Sequence, residues 1–300
     1  MGHIITDLKE AFRRGNVYIQ LIFINVGVFV ITTLIGILLQ LFNRSAAGIF
    51  ELLALPASFT RFAWQPWSIF TYMFMHAGFL HILFNMLWLY WFGALFLYFF
   101  SGKHLRGLYI VGGICGGLLY MISYNVFPYF RPMTAYSTMV GASASVLAIV
   151  VATAYREPNY PVRLLFFGNV RLKYLALIVV LTDLLFITSS NAGGHIAHLG
   201  GALAGLWFAA SLNKGKDITS WVNKALDAIA ALFSAKTWKR KPKMKVHYGN
   251  NTRQNDYDYN ARKKAQSDEI DRILDKLKKS GYESCLLYTS PSPRDGLLSR

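Results

Sequence analysis

The chain has 300 residues, of which 54% are hydrophobic and 15% charged, with 22 Phe and 17 Tyr; this apolar content excludes an ordinary soluble domain and points to an integral membrane protein. A net charge of +16 would suit a nucleic-acid ligand. The basic residues instead sit at the ends of apolar runs and in the C-terminal tail, as orientation signals and a membrane-facing surface do, so no nucleic-acid partner is expected. Two cysteines, Cys115 and Cys285, leave neither a disulfide framework nor a Cys-based metal site.

Residues 1–16 are polar, with Lys9, Arg13 and Arg14, and read as a cytoplasmic N-terminus. The run from Val17 to Phe42 exceeds a signal-peptide core and lacks a clear small-residue cleavage site, so it is the first predicted span. Residues 43–66 mix Arg44, Glu51 and Arg61 with two prolines around an amphipathic Ile49-Phe50-Glu51-Leu52-Leu53 patch, which suits the interface better than a crossing. From Trp67 to Phe100 the apolar content is too long for one untilted span of about 20 residues, so the start is predicted as loop and the helix as beginning near His81. A Gly-rich third span follows from Leu108 to Asn125, where Gly112, Gly113, Gly116 and Gly117 permit close helix approach. The fourth span is read from Gly141 to about Tyr155, the fifth from Tyr174 to Thr188, and the sixth from His195 to Leu212. Residues 17–213 are therefore expected to form an all-α bundle of six transmembrane helices.

Lys and Arg are concentrated in the N-terminus, the loops after the second and fourth spans, and the tail. Positive-inside then predicts that both termini are cytoplasmic. On that orientation the second, fourth and sixth spans run inward from the outer side. Each begins with a polar outlier: His81 with Asn85, then Ser143, then His195 with His198. Polar and ionisable groups at bilayer depth are costly and mark function. A serine hydroxyl needs an adjacent base, which a histidine supplies near neutral pH. His198 is favoured over His195 because only His198 is followed at three and seven residues by glycines, Gly201 and Gly205, which would let the sixth helix pack closely on the fourth.

Three motifs resemble those of the rhomboid intramembrane serine proteases: Gly141-Ala142-Ser143-Ala144, the spacing His76, His81 and Asn85, and His198-Leu199-Gly200-Gly201-Ala202-Leu203-Ala204-Gly205. The resemblance runs from about Trp67 to Leu206. It implies hydrolysis of peptide bonds in transmembrane protein substrates within the lipid bilayer, with Ser143 as nucleophile, His198 as base and no cofactor. It also implies His81 and Asn85 as oxyanion donors beside the Ser143 N–H, with His76 in loop support. The expected site is in the cytoplasmic membrane of a bacterium. Three departures stand out. Leu147 occupies a position often aromatic, where a ring packs on the catalytic imidazole; Ala144 replaces a glycine; and Trp67-Ser68 replaces a Trp-Arg pair. Asp183, an acid within the fifth span, is read as a helix-pairing residue away from the site.

Other readings compete with the protease. Small residues around Ser143 suit mere helix packing, and Gly-interrupted spans suit a small transporter, although no internal repeat is evident. An inactive relative would bind membrane proteins without cutting them. A metal site on His76, His81, His195 and His198 is disfavoured because no acid neighbours these histidines in sequence and no HExxH is present, so no metal is expected.

Residues 214–284 read as a cytoplasmic tail with a basic cluster from Lys236 to Lys245, a polar and disordered stretch from Tyr248 to Tyr259, and a helix near 268–279 carrying Ile270, Ile273, Leu274 and Leu277 on one face. That helix resembles the segment appended to some Bacteroidetes-type rhomboids. Residues 285–300 resemble translated sequencing adapter and are left out of the fold reading.

Overall fold

The computed structural model describes Phe12 and residues 15–164, 168–233 and 252–280. The expected basic cluster at Lys236 to Lys245, nearly all of residues 1–16 and the 285–300 segment lie outside the described residues.

Helix α1 (Val17–Leu41) buries only Leu21 and Asn25. Its other faces are apolar and exposed, as for a helix whose solvent is lipid. Asn25 anchors it, donating from Nδ2 to the Tyr109 hydroxyl at 3.0 Å and to Leu21 O at 2.8 Å. The region expected to lie in the interface folds into α2 (Ala47–Leu53), strand β1 (Leu55–Pro56) and α3 (Phe59–Trp64), the last capped by the Ser58 hydroxyl. A short α4 (Ser68–Thr71) and one 3-10 turn lead to α5 (Phe79–Phe99).

Helix α6 (Gly102–Val126) begins six residues before the predicted start at Leu108, because the Ser101 hydroxyl accepts the His104 N–H and caps it. Lys103 and Arg106, read as loop, therefore belong to its first turns. Strand β2 (Thr138–Met139) precedes α7 (Ser143–Arg156), and a hairpin of β3 (Pro161–Leu164) and β4 (Gly168–Arg171) leads to α8 (Leu172–Leu185). Helix α9 (Ala192–Asn213) ends the matched pattern of apolar runs.

Four of these helices, α1, α5, α6 and α9, are long and apolar enough to cross a membrane. The other two bundle helices, α7 and α8, have 14 residues each, a rise of about 21 Å against a hydrocarbon core of about 30 Å. Every residue of α7 from Ala144 to Ala154 is buried. The centre of the bundle is thus a short helix enclosed by the longer α5, α6 and α9, with α8 of equal length beside it.

Close packing around α7 uses the glycines. A Cβ on Gly201 or Gly205 would run into the carbonyls of Ala144 and Ala148, and one on Gly116 would lie 2.6 Å from Ala144 Cβ. Strand β1 pairs with β2 in antiparallel register, Leu55 opposite Met139 and Pro56 opposite Thr138. The interfacial segment is thereby tied to the residues just before Ser143.

The tail departs from expectation. Helix α10 (Ser220–Phe233) folds onto the start of α6. Arg106 donates from Nε and Nη2 to Asn223 Oδ1 at 3.1 and 2.9 Å, and Asn223 donates to Lys103 O at 3.1 Å. The second compact unit of the chain contains α11 (Thr252–Ser280). It is helical from Thr252, within the Tyr248 to Tyr259 stretch expected to be disordered, whose first four residues lie outside the described ones. Acids placed four residues before bases, at Asp258 and Arg262, Asp268 and Arg272, and Asp275 and Lys279, support a helix of low hydrophobicity.

Candidate active site

Ser143 is the first residue of α7, and the backbone bends sharply to reach it. Gly141 has φ +135°, a region that favours glycine. Its N–H donates to Tyr72 O at 2.9 Å, fixing the turn against the chain that leads into α5. A Cβ at Gly141 would also lie 2.9 Å from His81 Nε2 and 3.6 Å from Ser143 Oγ. Both conformation and space therefore require glycine two residues before the serine. Helix α7 has no side-chain cap. The Ser143 N–H is one of the donors that a helix start leaves free, where the helix dipole favours an anion.

His81 lies in the first turn of α5, with its Nδ1 accepting the Ala77 N–H at 3.5 Å. That assigns the ring proton to Nε2, the atom beside Gly141. Asn85, one turn further on, is buried and donates from Nδ2 to His81 O at 2.8 Å. His76 is buried just ahead of α5, its ring edge-on to His81 with centroids 5.1 Å apart. Burial, with His81 next to it, lowers the His76 pKa from 6.5 to about 4.

Helix α9 presents His195 and His198 one turn apart, their rings edge to face at 6.1 Å. Each Nδ1 lies 2.8 Å from the same atom, Asp183 Oδ1 of α8. This corrects the sequence reading of Asp183. It does pair α8 with α9, but on the face that carries the two histidines, 12 and 15 positions further on, because the chain between folds back through a tight turn. It also corrects the argument that no acid neighbours these histidines. The three side-chain ligand atoms lie within 4.8 Å of one another, and the two short contacts are those of Nδ1–H groups donating to a carboxylate oxygen.

Ser143, His81, Asn85 and His198 line one cavity of about 670 Å³, together with Leu147 and residues of the turn before α9. His195 and His76 do not line it. Gly201 and Gly205 lie on the part of α9 that touches α7. Sequence reasoning missed the place of Asp183, whose only signal was that it is the one acid within a predicted span.

A rhomboid domain family model matches residues 63–214, just over half of the chain. The chain belongs to the rhomboid family. A second similarity lies at greater distance: 29% identity over 158 residues to RHOMBOID-like protein 12, mitochondrial, of Arabidopsis thaliana. That match covers 50% of this chain and 47% of the relative, so the chain spans about half the length of the curated relative it matches. The rhomboid match begins in α3, before the His76 spacing, and ends just after α9, so the cavity lies within it. Rhomboid membership together with the long apolar helices makes this an integral membrane protein.

Proposed function

We propose that this rhomboid is an intramembrane serine endopeptidase that cuts single-pass transmembrane proteins near the outer membrane boundary, with Ser143 as nucleophile and His198 as base. The supporting observation is the convergence of Ser143, His198, His81 and Asn85 on one cavity, from three helices far apart in sequence. His198 commits Nδ1 to a carboxylate, which leaves Nε2 to accept a proton from the serine hydroxyl. An oxyanion formed on the scissile carbonyl would meet the Ser143 N–H, the His81 Nε2–H and the Asn85 amide.

Hydrolysis needs water at bilayer depth, and a short α7 under an open cavity admits it. A helical substrate hides its carbonyls in intrahelical bonds, so the preferred segments should unwind easily, with small residues at the cut and Gly or Pro beyond. The proposed setting is a bacterial cytoplasmic membrane, with both termini in the cytoplasm and no cofactor or metal. The test is cleavage of a model transmembrane substrate in proteoliposomes. Ser143→Ala and His198→Ala should each abolish cleavage, and the double variant should be no worse, since both disable one step. Cleavage by Ser143→Ala would end the serine-protease reading. Binding of substrate without cleavage by the unaltered protein would favour the inactive, membrane-protein-binding relative.

A further inference from the structure

Asp183 is an expensive residue to keep where it is. It sits in a 14-residue apolar helix with its side chain only 5% exposed. Its Oδ1 takes two imidazole contacts at 2.8 Å, and its buried Oδ2 has no hydrogen-bond partner. A carboxylate that served only to join α8 to α9 would be served as well by either imidazole alone. Here both rings of an i, i+3 pair on α9 converge on one oxygen, and one of those rings lines the cavity with Ser143.

We infer that Asp183 is a positioning residue for the His198 base, and that His195 holds the Asp183 carboxylate in place by donating to the same oxygen. The inference rests on the protease reading above. An acceptor on Nδ1 fixes the His198 tautomer and ring plane and leaves Nε2 as the only ring nitrogen able to take a proton. Leu147, beside the cavity, offers no ring to stack on the imidazole, so the carboxylate supplies the orientation.

The carboxylate also acts on the chemical step. As Ser143 Oγ bonds to the scissile carbonyl carbon, the carbonyl electron pair moves onto oxygen and the hydroxyl proton passes to His198 Nε2. The imidazolium so formed keeps its Nδ1–H on Asp183, whose negative charge stabilises it. When the oxyanion collapses, the C–N bond breaks and the Nε2 proton goes to the leaving amine, which returns a neutral ring. Water then attacks the acyl-enzyme by the same route, giving its proton to Nε2 and regenerating the Ser143 hydroxyl. Asp183 takes no proton from the ring at any step. His195 gives up no proton; its bond halves the share of Oδ1 available to His198.

The test measures fluorophosphonate labelling of Ser143, and kcat and KM for a transmembrane substrate, across pH in detergent and proteoliposomes. Unaltered protein should label and Ser143→Ala should not; an unlabelled native serine would refute the protease reading itself. Asp183→Asn should lower kcat on the order of 10- to 1,000-fold with KM nearly unchanged, less than the ~10⁴-fold loss from replacing an unshared triad carboxylate. The acid limb of its kcat/KM profile should move to lower pH, since an amide cannot stabilise the imidazolium. Asp183→Glu should recover part of both.

The titratable groups facing His198 are Asp183 from α8, His195 on α9 itself, His81 from α5 and Tyr124 from α6. Removing one of them, by His195→Phe, should move the limb to higher pH as His198 gains the whole carboxylate. A structural role alone would lower the folded fraction and leave the limb and the per-molecule kcat unmoved, and that result overturns the inference. Should the Asp183 variants not fold, the His195→Phe limb decides: an unmoved limb refutes the shared carboxylate.

Discussion

The two imidazoles that line the cavity hold opposite tautomers. His81 accepts at Nδ1 from the Ala77 N–H and so offers a donor at Nε2, whereas His198 donates at Nδ1 to Asp183 and so offers an acceptor. In the proposed reaction one residue type would supply a fixed positive dipole for an oxyanion and a site for a proton, with the local backbone and one carboxylate making the difference. His81→Phe and Asn85→Ala should each lower kcat on the order of 10- to 1,000-fold with little change in KM, because each removes one of several oxyanion donors. Unchanged kcat in both, measured on a transmembrane substrate, would take the oxyanion role from α5. His76 acts differently, through burial. Its pKa in the folded protein lies near 4, below the ordinary 6.5. Between those values the unfolded chain binds the proton and the folded chain does not, so stability present above about pH 6.5 is lost as pH falls toward 4. Replacing His76 by Phe should flatten that acid-side fall in the detergent unfolding midpoint, and an equally steep fall in the variant would show that other groups cause it.

At the scale of elements, the crossing of α7 and α9 sets the distance between Ser143 and His198, the proposed nucleophile and base. A Cβ on Gly201 would meet the Ala144 carbonyl, one residue from Ser143. Gly201→Val should therefore push the helices apart, at a cost of about 1–3 kcal/mol, and lower both the thermal midpoint and the rate of serine labelling. Normal labelling at a normal midpoint would mean that the crossing tolerates more space than the packing indicates. These glycines were legible in the chain because three- and seven-residue spacing on a helix is a local pattern, and so were the four long apolar runs; the turn at Gly141 was not, since the span was read as starting there and the helix starts at Ser143. Asp183 was not, because its partners become visible only when α8 folds back on α9. Nor was the β1–β2 pairing, a contact of two residues with two others more than 80 positions away. Helix α10 was hidden for another reason: its docking depends on Asn223 and Thr219, polar residues buried against Arg106 and Gly107, and polarity read along a sequence suggests exposure.

The larger compact unit, Met1–Thr237, has two chemically distinct ends. Each of α5, α7 and α9 begins at the cavity, and the far ends carry charge: Arg156 closes α7 and donates to Asn213 at the end of α9 at 3.4 Å. The same end holds Lys103 and Arg106 at the start of α6, locked onto α10 through Asn223. By the positive-inside pattern, the proposed topology puts this basic end in the cytoplasm and the cavity on the outer side. Cysteine placed at each end distinguishes the two orientations. In a protein with Cys115→Ala and Cys285→Ser, Ser143→Cys should react with a membrane-impermeant maleimide added to intact cells, because the cavity opens to water on that side. Lys224→Cys, exposed on α10, should react only after the cells are permeabilised. The opposite pattern would invert the topology and move the proposed cut to the cytoplasmic boundary. Protection of Ser143→Cys from both sides would mean that the cavity is closed to water, and a closed cavity cannot support hydrolysis.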